Sequence, residues 1–203
     1  MYQDVVPAAN LDLTAFFSQA KKEGAQAVYF GGVTANHGCS IRGQVATSLG
    51  AGAPFLGGDG IAEDPACVRD AGSSAPGMYA TVPVIDPAQM PNAKDAIAAF
   101  EVAYPRPVDY GPYTMLAYDA TGVLYDAIDR AIKGAGGKLP GRADVVTMLA
   151  ATTNFAGVSG PFGFDAAGDT TRRIVSIFEA QSSDPTATWP WVSAVDYSVK
   201  LPY

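Results

Sequence analysis

Two short apolar runs, each closed by glycines, constrain this chain more than any other feature: Ala27–Phe30 before Gly31-Gly32, and Pro54–Gly57, which runs on into Gly58. A short apolar run bounded by glycine reads as a buried strand. Between the two runs, from about Asn36 to Leu49, the residues Ile41, Val45, Ala46 and Leu49 recur at helical spacing, and the pattern stops at Gly50. Strand, helix and strand in tight succession make a β-α-β unit, whose strands run parallel with a right-handed crossover. Asp64-Pro65 opens a further short helix through about Ala71, with proline in its first turn, and Gly77–Val84 supplies a third strand. The series predicts an α/β fold with a parallel, doubly wound sheet. In such sheets the loops that follow the strands share one edge, and ligands bind there. Here those loops are GGVTANHG, residues 31–38, and GGDGIAED, residues 57–64, the second carrying Asp59 among Gly57, Gly58 and Gly60.

Upstream, Asn10 or Asp12 caps a helix whose apolar residues Leu13, Phe16, Phe17 and Ala20 share one face, and which ends at Glu23-Gly24. From Pro91 onward the pattern turns helical, with helices expected over 94–104, 112–133 and 142–151 and no strand pattern between Val84 and Asn154. Leu116, Ala120, Val123, Leu124, Ala127, Ile128 and Ala131 form an apolar stripe wide enough to need a partner surface. Two readings stay open. The helices either form the outer layer of a sheet whose strands lie outside this sequence, or they pack on one another and on the sheet already described. Gly160–Phe164 and Arg173–Ala180 return to strand character around the turn-rich Asp165–Asp169, which suits a hairpin, and Trp191–Tyr197 is a third strand. A chain that leaves a sheet, builds helices and returns implies two lobes, with crossings near Thr81–Asp86 and Phe155–Pro161.

Composition removes several function classes. Of 203 residues, 48% are hydrophobic, enough for a substantial core. With 13 basic against 20 acidic residues and no basic run, neither a nucleic-acid partner nor an anionic membrane surface is expected. No apolar stretch reaches the roughly 18 residues that span a bilayer. Met1-Tyr2-Gln3-Asp4 lacks the basic and apolar regions of a signal peptide. There is no P-loop, dinucleotide fingerprint or G-x-S-x-G; Gly157-Val158-Ser159-Gly160-Pro161 lacks the final glycine. The single histidine, His37, has no metal-ligand spacing around it and reads as an exposed loop residue. No cofactor is called for.

Taken in order, GGVTANHG, PFLGGDGI, DPACVRDAG, GMYATVPV, FEVAYP, GPYTMLAYDA and GVSGPFGFDAAGDTTRRIVSIFEA resemble the second half of the periplasmic amino-acid-binding proteins of ABC transporters. This is the branched-chain amino-acid receptor family, with the type I periplasmic-binding-protein fold. The resemblance implies two α/β lobes joined by three hinge strands and closing on a ligand. Residues 1–83 and 157–203 would then form the second lobe and 84–156 the helical end of the first, so the chain reads as N-terminally truncated, with the export signal outside it. It further implies a periplasmic or extracellular protein, with a membrane tether compatible, that hands an amino acid or related small polar molecule to an ABC permease.

A zwitterionic amino acid needs an acceptor for its ammonium and donors for its carboxylate, because either group buried unpaired costs several kcal/mol. Asp59 stands where the resemblance places an acidic residue against the ammonium, and Gly58 would let backbone approach the ligand. Read without the family, Asp59 is equally a turn former or the cap of the helix at residue 64. Val33 occupies a position that usually presents an aromatic or polar side chain, so an aromatic wall is missing there and Thr34 becomes the polar candidate. Asn36 is alternatively the cap of its helix. Tyr113 lies at the start of a helix that in the family faces the cleft, and Tyr118 is expected to pack at the hinge. Cys39 and Cys67 each follow a loop at the same sheet edge; an exported protein could join them, while a buried thiol is the other reading of Cys67. Three functions remain: a solute receptor without covalent chemistry, a ligand-sensing domain of a receptor or regulator with the same fold, and an α/β enzyme using Asp59. The enzyme reading lacks a second catalytic group.

Overall fold

The computed structural model describes residues 11–90, 92–104 and 111–198, which leaves the candidate cap Asn10 outside the described residues. In chain order the first elements are α1 (Thr14–Lys22), β1 (Val28–Phe30), α2 (Arg42–Ser48), β2 (Phe55–Gly57), α3 (Pro65–Ala71) and β3 (Met78–Val82). There follow α4 (Lys94–Ala103), α5 (Thr114–Gly134), α6 (Arg142–Ala150), β4 (Phe155–Gly157), β5 (Gly160–Phe162), β6 (Ile174–Ala180) and β7 (Trp191–Asp196). The chain divides into two compact units, Met1–Pro83 with Ser176–Ala194, and Val84–Val175 with Val195–Tyr203. The return into the first unit therefore falls at Val175–Ser176, and residues 157–175 group with 84–156.

In the first unit β1, β2 and β3 are parallel and in register, Val28 beside Phe55 and Phe55 beside Met78. Strand β6 extends the same sheet antiparallel to β3, from Met78 opposite Ala180 to Val82 opposite Ser176. Strand β7 closes the order β1-β2-β3-β6-β7. The sheet is therefore parallel in its first three strands and mixed beyond them. The hairpin expected between 160–164 and 173–180 does not form: β5 pairs with β4, and one isolated bridge, Phe164 with Thr170, links the turn-rich segment. Seven residues of β6 find five partners along β3, a longer ladder than the short arm at 160–162 offers.

Alternation along these strands sorts the core. Phe55, Met78, Ala80, Val82, Phe178 and Ala180 are buried on one face, with Val45, Ile61, Cys39, Cys67 and Val68 completing the interior. Their neighbours Leu56, Tyr79, Thr81, Ile177 and Glu179 are only half-buried, and Tyr29 is 68% exposed. The run Ala27–Phe30, expected to be buried, is only half-buried at Val28 and Phe30 and exposed at Ala27 and Tyr29, because β1 is the edge strand and its outward face is uncovered.

The single helix expected over 36–49 is broken. Two 3-10 turns, Thr34–Asn36 and Gly38–Ile41, precede α2, and His37 between them takes a left-handed φ of 54°. Packing overrides helical propensity here: a Cβ on Gly38 would lie 1.9 Å from Phe30 Cζ, and Cys39 is bonded to Cys67 on α3.

In the second unit α5 buries Met115, Asp119, Val123, Ala127 and Ala131, a stripe at strict four-residue spacing. Leu124, expected inside, is 43% exposed, and Ala120 is exposed as well. The expected stripe is thereby split, with Val123, Ala127 and Ala131 buried and Ala120 and Leu124 exposed; a different face of α5, carrying Tyr118 and Tyr125, lines a groove of about 980 Å³ with Phe100, Tyr104 and Phe155. Tyr118, expected as packing at the hinge, is 59% exposed in this groove. The buried Asp119 carboxylate accepts the backbone N–H groups of Val158 and Ser159, at 2.8 and 2.9 Å, and the Ser159 hydroxyl. This carboxylate is why 157–160 stays with the helices.

Candidate functional site

The loop after β1 and the turn after β2 meet at the carboxyl ends of the parallel strands. Their contact is closest at Gly60, where a Cβ would lie 2.4 Å from Val33 Cγ1 and 2.9 Å from the Gly32 carbonyl oxygen. Only glycine fits this approach. Thr34 is 8% exposed and its hydroxyl donates to the Gly60 carbonyl at 3.3 Å. Thr34 therefore stitches the two loops together, with its side chain turned inward. Val33 remains 45% exposed. Its N–H donates to Asn36 Oδ1 at 3.3 Å, and Asn36 returns its own N–H to the Val33 carbonyl at 2.9 Å, which closes the turn rather than capping a long helix.

Asp59 is exposed at the start of the 3-10 turn Asp59–Ile61, whose Ile61 N–H donates to the Gly58 carbonyl at 3.3 Å. The cap of α3 is Asp64, whose Oδ1 accepts the Ala66 N–H at 2.8 Å, so that task does not fall to Asp59. Gly58 is half-buried, and a Cβ on it would lie 3.9 Å from the Tyr29 hydroxyl; one on Gly31 would lie 3.7 Å from Tyr29 Cε1. Tyr29 thus brings an exposed aromatic ring to the same edge. Reading Ala27–Phe30 as one buried run missed it; alternation, with Val28 and Phe30 inward, is the signal that finds it.

Cys39 and Cys67 are joined, with Cα atoms 5.2 Å apart. The bond links the segment after the Val33 loop to the helix after the Asp59 turn. His37 Nδ1 and Asp70 Oδ2, 4.0 Å apart, add a longer contact between the same two segments, with the His37 side chain 51% exposed. Val33, Thr34, Gly58 and Asp59 are thus brought together within the first unit. Tyr113, 42% exposed, stands just before α5 in the second unit. Among the described residues no group of three or more His, Cys, Asp or Glu could hold a metal ion, and no helix is long and apolar enough to cross a membrane.

An α/β unit with paired loops at its strand ends and a disulfide beneath them is the frame on which comparison with known proteins bears. A family model for periplasmic binding proteins matches residues 1–185. The chain belongs to the periplasmic binding protein family. A leucine-, isoleucine-, valine-, threonine- and alanine-binding protein of Pseudomonas aeruginosa is 33% identical over 175 residues, covering 85% of this chain and 43% of that protein. The crystal structure of a leucine-binding protein from Thermotoga maritima matches with a TM-score of 0.71 at 25% identity, over 92% of this chain and 49% of that one. A solute-binding protein of an ABC transporter from R. palustris, in complex with 4-hydroxybenzoate, shares the fold with a TM-score of 0.64 at 16% identity, over 92% of this chain and 50% of that one. The periplasmic binding protein chain described here spans about half the length of these relatives.

Proposed function

We propose that this chain serves an extracytoplasmic solute receptor of an ABC transporter that binds an amino acid, with the Asp59 carboxylate accepting the ligand's ammonium. The observation that carries the reading is the exposed Asp59 at the carboxyl end of a parallel strand, on a turn of glycines held against the Val33 loop. In this reading Gly58 admits the ligand's main-chain end, Val33 contacts its side chain, and Thr34 fixes the loop. The specificity named for the Pseudomonas relative supports a small aliphatic ligand. The Cys39–Cys67 bond supports an oxidising, extracytoplasmic location, where such bonds form and persist. Delivery to an ABC permease completes the proposal; no covalent chemistry and no cofactor enter it.

Calorimetry of the full-length protein tests it with leucine, isoleucine, valine, threonine and alanine, and with 4-hydroxybenzoate, which has a carboxylate and no ammonium. One or more amino acids should bind, and Asp59→Asn should weaken that binding by about 2–4 kcal/mol, the usual cost of removing one partner of a close charge pair. An aromatic acid that bound as tightly as any amino acid, or an Asp59→Asn protein with unchanged affinity, would overturn the assignment of Asp59.

A further inference from the structure

We propose that the Cys39–Cys67 disulfide is a positioning element of the ligand site, holding the Val33 loop and the Asp59 turn at the spacing in which they bind. This rests on the reading of Asp59 and Val33 as ligand contacts. Besides the disulfide, the two segments leave neighbouring strands at the paired residues Phe30 and Gly57 and meet through non-covalent contacts. The hydrogen bonds within them are local, from His37 N–H to Thr34 and from Ala62 N–H to Asp59, at 2.8 and 3.2 Å. Between them stand the 3.3 Å Thr34–Gly60 hydrogen bond, the side-chain-free approach of Gly60 to Val33, and the 4.0 Å His37–Asp70 contact. The disulfide is the covalent tie. Cys39 lies six residues beyond Val33, at the start of a 3-10 turn, and Cys67 eight beyond Asp59, within α3. Both cysteines are fully buried, so the bond anchors the loops to the core and leaves their tips at the surface.

The physical consequence is pre-organisation. Loops fixed before the ligand arrives lose little conformational freedom on binding, and a cross-link raises affinity chiefly by lowering that cost. His37, a non-glycine residue held in the left-handed region between Thr34 and Cys39, shows that this segment adopts a conformation its local sequence does not favour. Without the covalent tie, the 3-10 turns at 34–41 are free to relax toward the continuous helix that the sequence pattern describes, drawing Val33 away from Gly60.

The test uses the full-length protein with L-leucine as the probe, well below all unfolding midpoints. Two variants remove the bond: Cys39→Ala/Cys67→Ala, and Cys39→Val/Cys67→Ala, which refills the volume of the lost sulfur. Phe178→Leu, a core substitution on β6, serves as a control for loss of stability away from the two loops. The proposal expects leucine affinity to fall roughly ten-fold in both bond-free variants, and hydrogen-exchange protection to drop at 33–37 and 59–63. Phe178→Leu should keep its affinity. Affinity within about two-fold of the parent in the bond-free variants, or an equal loss in Phe178→Leu, would overturn it. Asp59→Asn run alongside separates the two claims: unchanged leucine binding there sinks the ligand-contact reading, while the exchange data still decide whether the bond positions the loops.

Discussion

Arg42 is 2% exposed, and its guanidinium donates to the backbone carbonyls of Ser74, Ala53, Ala51 and Pro76 at 2.9 to 3.2 Å. Burial lowers its pKa from the usual guanidinium value, yet an arginine stays charged under such a shift, and the four carbonyl dipoles replace the water it gave up. These carbonyls lie in the connections that lead into β2 and β3, so one side chain sets the entry of two strands. Arg42→Met should cost about 3–5 kcal/mol in urea unfolding, because it leaves buried acceptors without donors. A loss below about 1 kcal/mol would mean that water reaches those carbonyls. Nothing in the helical pattern singled out this residue, since an arginine between Ile41 and Val45 reads as a solvated side chain. Asp59 was singled out because it lies between glycines at a strand end where the resemblance places an acidic residue, whereas the inward turn of Thr34 depends on a carbonyl twenty-six residues away.

At the scale of elements, α5 and the β4–β5 hairpin are joined through Asp119. A Cβ on Gly157 would sit 2.5 Å from Asp119 Oδ2, so the glycine is required by the closeness of that carboxylate. Asp119→Asn turns one acceptor oxygen into a donor facing N–H and O–H donors. The second unit should lose about 2–4 kcal/mol, read as a lower midpoint for fluorescence of a tryptophan placed at Phe162, with the first unit's transition unmoved. Coincident shifts of both transitions would show instead that the units unfold as one. The sequence pattern located α4, α5 and α6 to within two residues because each carries its own periodicity. It misplaced the strand pairing at 155–180, since pairing is a property of two segments and neither one states its partner.

For the molecule as a whole, the shifted carboxyl groups give a direction to its pH dependence. Backbone N–H donors hold the pKa of Asp12, Asp165 and Asp184 below the usual value, those of Thr14, Asp169 and Thr186 respectively; at Asp196 the Ser198 hydroxyl leads, with the Ser198 N–H behind it. A carboxyl whose folded pKa is depressed adds stability above its unfolded value, near 3.8, and loses it as pH falls through the folded value. Tyr79 runs the other way: its hydroxyl donates to Glu179 Oε1 at 2.9 Å and its pKa is raised, so its contribution is present below about pH 10 and lost above. Denaturation midpoints measured from pH 2 to 11 should therefore be level from about pH 5 to 9 with respect to these groups and fall on both sides, the alkaline fall shrinking in Tyr79→Phe. An alkaline limb unchanged in Tyr79→Phe would remove the tyrosine from that account.

By itself the sequence determined the order of the helices and of every strand but β4, the parallel start of the sheet and the place of Asp59 at a strand end. Each of these follows from periodicity and glycine punctuation within a window of a dozen residues. The tertiary structure alone decided the antiparallel seat of β6, the break at His37, the outward face of Tyr29, the burial of Arg42 and the joining of Cys39 to Cys67. Those depend on which distant surfaces meet, and the contacts that settle them outweigh the local preferences that a sequence pattern reports.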